Sequence, residues 1–181
     1  MPILRPAMLI LAALAAPPAL ALEVRESVEV AASPEQVWQA IGGFCSIAEW
    51  HPVVADCAPG EEGGVALRTL TTTDGAVLHE RRVQYSEEGM SYSYQIVESP
   101  LPVADYEATL AVMDSAGGSM ITWSGEFAAR GAADAEARAV IEDLDAAGLA
   151  ALRERLRQHR RCDGCAAPPG APPRARAARA G

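Results

Sequence analysis

The sequence predicts one α+β domain in which a curved antiparallel β-sheet wraps around a long C-terminal helix, with two short helices directly after the first strand. Three observations predict this class. Polar and apolar residues alternate over residues 22–31 and again in short runs through 53–130, as they do in half-buried strands. Two helix-start patterns lie between these regions. An apolar stripe with a helical period of about 3.6 residues then occupies residues 134–159.

Residues 1–21 have the pattern of a secretory signal peptide. Arg5 supplies a positive charge, residues 7–16 are an unbroken apolar run, and residues 19–21 place Ala at the two positions that signal peptidase recognises. A run of about ten residues is too short for the roughly 20 that cross a bilayer, so we expect no membrane span. The alternative, a buried N-terminal helix, is disfavoured by the prolines at 17 and 18. The mature protein should therefore begin near Leu22, in the periplasm or outside the cell.

The domain, predicted to span residues 22–160, opens with a strand and two short helices. Val24, Val28 and Val30 form one face of the strand. Ser33-Pro34-Glu35-Gln36 then matches a capping box with Pro at the first helical position, and Gly42-Gly43 ends this helix. Residues 46–49 repeat the Ser-x-x-Glu pattern, which predicts a second short helix.

The next stretch predicts a β-meander. Strands are expected at roughly 53–58, 65–72, 77–86, 90–98, 104–113 and 119–129, separated by turn residues at 59–60, 74–75, 88–89, 100–102 and 117–118.

A long amphipathic helix follows over residues 134–159. Its predicted buried stripe comprises Ile141, Leu144, Gly148, Leu152 and Leu156, whereas Glu142, Asp145, Arg153 and Arg157 are placed off it. Residues 161–181 are rich in Ala, Pro, Gly and Arg without periodicity, which predicts a disordered tail.

Composition excludes several classes of function. Residues 22–152 carry 22 acids against 6 Arg, a net charge of −16, which disfavours nucleic acid as a partner. The chain has no Lys, so Schiff-base chemistry is excluded. It also has no HExxH, no paired CxxC, no Walker loop and no GxGxxG. We therefore expect no metal and no cofactor, and a monomer or weak dimer.

A strongly bent sheet around one helix does not fill all the space between them, so this architecture predicts an internal cavity. Gly148 lies in the middle of the long helix, where Gly costs about 1 kcal/mol of stability relative to Ala. Either a strand or a ligand approaches the backbone closely there, or the position is neutral.

The order of elements, together with Val37-Trp38, Phe44-Cys45, Trp50-His51-Pro52, residues 94–98 and Trp123, resembles the START-like or SRPBCC superfamily. The resemblance covers about residues 22–158. Within the superfamily the chain is most similar to the polyketide cyclase/dehydrase group, including the plant lachrymatory factor synthase family. This resemblance implies a helix-grip fold whose cavity binds a small hydrophobic molecule. Only some members of the superfamily are enzymes.

The resemblance also implies site residues. The family's catalytic Arg and Glu correspond to Arg68 and Glu80, and its cavity tyrosines to Tyr106 and Tyr94. Strand alternation independently places each of these on an apolar face. Three interpretations stay open: Arg68 and Glu80 are a solvated or cross-strand ion pair; Glu80 moves a proton while Arg68 orients the substrate and Tyr106 donates a hydrogen bond; or the polar groups only anchor a ligand.

Further candidates for ligand contact are Trp50, His51, Tyr92, Tyr94, Leu144 and Gly148. His51 has a structural alternative, as a hydrogen-bonded histidine of the core. In an oxidising compartment Cys45 and Cys57 are expected to form a disulfide that ties the second helix to the next strand, the alternative being two buried thiols. Cys162 and Cys165 have redox-motif spacing but follow a helix, which favours a local or intermolecular disulfide over catalysis.

We therefore expect an exported protein that binds a small hydrophobic ligand. The alternatives are a cavity enzyme with cyclase, dehydratase or isomerase chemistry, and a periplasmic accessory protein that docks another enzyme.

Overall fold

The computed structural model describes the backbone of residues 21–163 and side chains as far as residue 159. The predicted signal segment before residue 21, the tail after residue 163 and the side chains of Cys162 and Cys165 lie outside the described residues. The elements are β1 (Leu22–Val30), α1 (Pro34–Ile41), α2 (Ile47–Trp50), β2 (Val54–Glu62), β3 (Val65–Thr72), β4 (Val77–Ser86), β5 (Ser91–Glu98), β6 (Val103–Ser115), β7 (Gly118–Ala129) and α3 (Asp134–Asp163).

All seven strands form one antiparallel sheet in the order β1-β7-β6-β5-β4-β3-β2. Strands β2 to β7 pair with their neighbours in sequence, as a meander does, whereas β1 pairs with β7. Helix α3 packs across the sheet against β1 and β7. The predicted α+β helix-grip architecture is confirmed. The core lies between the sheet and the three helices.

The start of α1 follows the predicted capping box. Ser33 Oγ accepts a hydrogen bond from the Gln36 amide at 3.4 Å, and Gln36 Oε1 accepts one from the Ser33 amide at 3.1 Å. Two amides that a helix start leaves without a partner are thereby satisfied. The helix buries Val37, Trp38 and Ile41.

The second predicted capping box, at Ser46, is wrong. Ser46 has helical angles, φ −62° and ψ −18°, whereas a capping residue adopts an extended conformation. Its hydroxyl instead donates back to the Gly43 carbonyl at 2.7 Å. The chain between α1 and α2 already turns before Ser46, so α2 continues that turn.

The predicted turn at Pro59-Gly60 is also wrong. Strand β2 continues to Glu62, with Pro59 paired to Arg68, and the chain turns at Gly63 and Gly64, whose φ values are +57° and +83°. Strand β2 lies at the sheet edge, where the missing N–H of a proline is tolerated.

Two further features position the site. Strand β6 has a register shift between Ala104 and Glu107, and Asp105 between them has a φ of +52°. Such a bulge redirects the neighbouring side chain, here Tyr106. Helix α3 begins at Asp134 as predicted but runs to Asp163, past the predicted end at residue 159 and into the segment expected to be disordered. Between residues 21 and 163 no helix combines the length and apolar character needed to cross a bilayer.

Candidate functional site

An internal cavity of about 90 Å³ lies between the sheet and α3. Most of its wall is apolar, formed by Ile47, Val53, Val54, Leu70, Leu78, Ile96, Leu101, Ile141, Leu144 and Trp123. Polar atoms come from Glu80, Tyr94, Tyr106 and Asp145, with His51 and Thr72. Leu101 and Leu144 are among the wall residues that are partly exposed, and the side of the cavity that they border is its mouth. Since a water occupies about 30 Å³, the space fits a compact molecule.

Arg68 and Glu80 are direct cross-strand partners on β3 and β4. Arg68 Nε lies 2.5 Å from Glu80 Oε2, and the two side chains are 0% and 4% exposed. Arg68 Nη1 donates to the Phe44 carbonyl, and its guanidinium carbon lies 4.2 Å from the Phe44 ring centre and 4.9 Å from that of Tyr94. The pair is thus buried and not on a solvated face. Glu80 lines the cavity, and Arg68 lies behind it.

Burial and the neighbouring charge have opposite effects on the pKa of each member of this pair. Burial raises the pKa of Glu80, and the Arg68 guanidinium opposes that rise. Burial lowers the pKa of Arg68, but the Glu80 carboxylate and the neighbouring tyrosines raise it more, so Arg68 stays charged. The result is a carboxylate at the cavity wall whose proton affinity is increased by its apolar surroundings.

Two tyrosines form the aromatic part of the wall. Trp123 Nε1 donates to the Tyr94 hydroxyl at 3.1 Å, which fixes that ring. The β6 bulge directs Tyr106 towards Gly125, where a Cβ atom would lie 3.2 Å from the Tyr106 hydroxyl oxygen. Burial raises the pKa of both tyrosines, with nearby acidic groups, Asp145 among them, adding to the rise. Both therefore remain protonated, and a hydrogen bond joins their two hydroxyls.

His51 is a structural link that also borders the cavity. Its Nε2 lies 3.1 Å from the Leu144 carbonyl oxygen, and its Nδ1 accepts from the Val53 amide at 3.3 Å. Burial lowers the pKa of His51 to about 4, against the opposing effect of the Leu144 carbonyl, with the Arg68 charge also lowering it. The ring is therefore neutral with its proton on Nε2. It ties the segment after α2 to the middle of α3.

The remaining predicted contact residues divide into two groups. Leu144 and Tyr94 line the cavity, whereas Trp50, Tyr92 and Gly148 lie outside its wall. Tyr92 packs between Trp38 and Phe44, and Trp50 packs on Trp123. Gly148 makes room for His51, since a Cβ atom there would lie 2.5 Å from His51 Cδ2. The close approach predicted at Gly148 comes from the His51 ring and, at 3.1 Å, from the ring of Trp123 on strand β7.

Cys45 and Cys57 form a disulfide that joins the start of α2 to β2. Cys45 directly follows Phe44, whose carbonyl accepts from Arg68, so the disulfide anchors the segment that holds the guanidinium.

Asp145 is a site residue that the sequence interpretation placed on the exposed side of α3, and that placement is wrong. The residue is 3% exposed, lines the cavity, and its Oδ2 has no hydrogen-bond partner among the described residues. Burial raises its pKa to about 7, and the Glu26 carboxylate adds to the rise. Spacing was the available signal, because Asp145 follows Ile141 by four residues and precedes Leu149 by four, on one helical face.

The part of the chain that the structure describes holds no group of three or more His, Cys, Asp or Glu side chains able to bind a metal ion. The ionisable groups at the wall are two carboxyls, two phenols and the imidazole of His51, and the Arg68 guanidinium lies behind Glu80.

Comparison with known proteins finds a family model that matches most of the chain. Residues 21–157 match the model described as polyketide cyclase / dehydrase and lipid transport. The chain belongs to this family. Its superfamily is the START-like or SRPBCC group predicted from the sequence. No curated protein matches the chain.

Solved structures agree with the family. XoxI from Bacillus cereus is 33% identical with a TM-score of 0.72, covering 76% of this chain and 97% of its own. An uncharacterized protein from Bacillus thuringiensis is also 33% identical, with a TM-score of 0.71 and coverage of 75% and 98%. The Zhui aromatase/cyclase from Streptomyces sp. R1128 is 20% identical with a TM-score of 0.66, covering 80% and 98%, and supports the fold alone.

Proposed function

We propose that this polyketide cyclase/dehydrase family protein binds a compact hydrophobic molecule in its internal cavity. The supporting observation is the cavity of about 90 Å³, lined by aliphatic and aromatic side chains with a few polar residues. Ligand sites have this composition, because apolar walls supply affinity and a few polar atoms set orientation. An apolar cavity of about 150 Å³ accommodates benzene, so the ligand is smaller than benzene unless the mouth at Leu101 and Leu144 opens.

Native mass spectrometry of the protein from its producing cells tests the proposal. We expect one small molecule per chain, released and identified on denaturation. Leu144→Phe narrows the mouth and should remove the ligand, whereas Val97→Phe, at an exposed position off the cavity, should retain it. A protein that is empty and also takes up none of a series of small hydrocarbons contradicts ligand binding.

A cavity enzyme is the second candidate, favoured by the position of Glu80. Its carboxylate lies on the wall, is held by Arg68 and shares the cavity with the Tyr106 hydroxyl. A carboxylate in that position can move a proton on the bound molecule while a phenol stabilises negative charge that develops on an oxygen. Arg68 acts through Glu80, as a positioning residue, because it does not reach the cavity wall.

Hydrogen exchange on the identified ligand distinguishes enzyme from carrier. In D₂O an enzyme that uses Glu80 should incorporate deuterium at the ligand's acidic carbon. Glu80→Gln should lower the exchange rate of the folded protein about 100-fold or more and leave the ligand affinity of the folded protein within a few-fold. Glu98→Gln, on the exposed end of β5, is the matched control. Exchange that persists at full rate in Glu80→Gln rejects the general-base role.

We also propose that the protein is exported, with cleavage after about Ala21. The Cys45–Cys57 disulfide supports this, since stable disulfides belong mainly to oxidising compartments. Mass analysis of the protein in its natural host should give a mature chain that begins near Leu22. An intact chain with reduced cysteines in the cytoplasm would contradict export.

A further inference from the structure

The cavity wall contains a carboxyl group with an oxygen that no described residue hydrogen-bonds. Asp145 is 3% exposed, and its Oδ2 has no partner among the described residues. A buried polar atom without a hydrogen bond lowers stability, and more so when it carries charge. An apolar side chain at this position of α3 would avoid that cost. A bound ligand that forms a hydrogen bond with Asp145 would explain why a carboxyl group is buried there.

The groups around Asp145 determine what kind of partner fits. Acidic or phenolic groups of the sheet interact with it electrostatically: Glu26 on β1, Tyr94 on β5 and Tyr106 on β6. Glu80 on β4 lines the same cavity. The nearby imidazole, His51, is neutral and already has both ring nitrogens engaged. Among the residues that the structure describes, no Arg lines this wall, because Arg68 is held behind Glu80. These surroundings favour the protonated carboxyl, which is a hydrogen-bond donor.

A second donor shares the same space. Tyr106 lines the cavity, and after burial the nearby Asp145 carboxyl is the main cause that raises the pKa of its hydroxyl. A protonated carboxyl beside a phenol is a pair of donors suited to one carbonyl oxygen, or to the enolate formed from it.

We propose that Asp145 donates a hydrogen bond to the oxygen of a small carbonyl compound bound in the cavity, with Tyr106 as the second donor. This inference rests on the proposed ligand-binding function and specifies its ligand class: a compact ketone or aldehyde with an otherwise apolar body. Asp145 acts here as a specificity-determining residue.

A matched pair of probes tests it. Butanone and 2-methyl-1-butene have nearly the same shape but differ in the carbonyl oxygen. Their dissociation constants are measured by NMR titration of the Trp123 indole N–H, which lies at the cavity wall. The ratio of the two constants is compared between variants, because the different hydration of the two probes then cancels.

We expect Asp145→Leu to shift this ratio at least about fivefold towards the alkene, as loss of one buried hydrogen bond implies. Asp145→Asn keeps an N–H donor and should shift it less. Asp143→Leu, on the exposed face of α3, should leave it unchanged. In the native protein the ratio should also move towards the alkene when the pH rises above about 7, and this pH dependence should be absent in Asp145→Asn.

The possible outcomes distinguish failure of the Asp145 inference from failure of the ligand-binding function. If both probes bind but Asp145→Leu leaves their ratio unchanged, this inference is wrong and the binding function stands. If neither probe binds the native protein, the ligand class inferred here is wrong. If native mass spectrometry also finds the protein empty and no small hydrocarbon binds, the ligand-binding function fails as well. Asp145→Leu should also raise the melting temperature, since it removes an unpartnered buried carboxyl, and a lower melting temperature would indicate a structural role.

Discussion

Replacing the two members of the Arg68–Glu80 pair, singly and together, is the most decisive test of how the site is built. Both side chains are buried, at 0% and 4% exposure, so removing one leaves the other without its ion-pair partner. Breaking a buried pair from one side costs about 3–5 kcal/mol, whereas replacing both members by apolar residues is often neutral. Arg68→Met and Glu80→Leu should each be severely destabilising. The double variant should lose less than either single one.

The two single variants should differ in their response to pH. In Glu80→Leu the unpaired guanidinium cannot lose its proton, so the loss persists at every accessible pH. In Arg68→Met the remaining carboxyl can take up a proton, because its pKa is raised by burial and the opposing guanidinium is gone. A carboxyl whose folded pKa exceeds the unfolded value is least costly at low pH. The deficit of Arg68→Met should therefore shrink as the pH falls from 7 to 5.5.

Urea unfolding followed by tryptophan fluorescence measures these effects, since Trp38, Trp50 and Trp123 are all buried in the native state. With a slope of about 2 kcal/mol/M, a loss of 4 kcal/mol lowers the midpoint by about 2 M. Arg157→Met, which breaks the exposed pair with Glu154, is the control and should leave the midpoint unchanged. Additive losses in the double variant, or single losses as small as those of surface pairs, would refute the reasoning.

Two further variants test how the site is held in place. Gly148→Ala would place a Cβ atom 2.5 Å from His51 Cδ2. We expect a net loss of stability, because overpacking costs about 1–3 kcal/mol and outweighs the roughly 1 kcal/mol gained in helix propensity. An unchanged or raised melting temperature would contradict this contact. Cys45→Ala combined with Cys57→Ala opens a loop with a sequence separation of 12. It should lower the free energy of unfolding by about 3 kcal/mol in urea, and reduction of the native protein should have a similar effect. A midpoint insensitive to reduction would argue against the disulfide.

The fold was largely predictable from the sequence because the residues that end its strands and start its helices act locally. Turn residues separate the strands, and the Ser33 capping box marks the start of α1 within one turn of helix. The predictions failed where the position of a residue in the folded sheet outweighed its local tendency to end a strand. Pro59 was expected to end a strand but lies within β2, since β2 is an edge strand that needs no donor there.

The site was predictable only in part, for a physical reason. Alternation placed Glu80, Tyr94 and Tyr106 correctly on inward faces. Alternation does not show whether an inward-facing side chain reaches the cavity. Tyr92 and Arg68 were therefore expected to line the cavity, but neither of them does. Asp145 was missed because a carboxylate was assumed to face solvent. Helix geometry places Asp145 at the cavity wall, where burial favours its neutral carboxyl form.

The pairing of β1 with β7 has a consequence for the order in which the chain can fold. Leu22 pairs with Phe127 and Val30 with Ser119, so the first strand to be synthesised has to wait for the last. Every other strand pair joins neighbours in sequence and can form as a hairpin. Contacts between such distant segments are slow to form, because the loop entropy is lost before any contact compensates for it. Until residue 129 is available β1 is an unpaired strand, so a ribosome-bound chain exposes a sheet edge that is prone to aggregation unless something shields it.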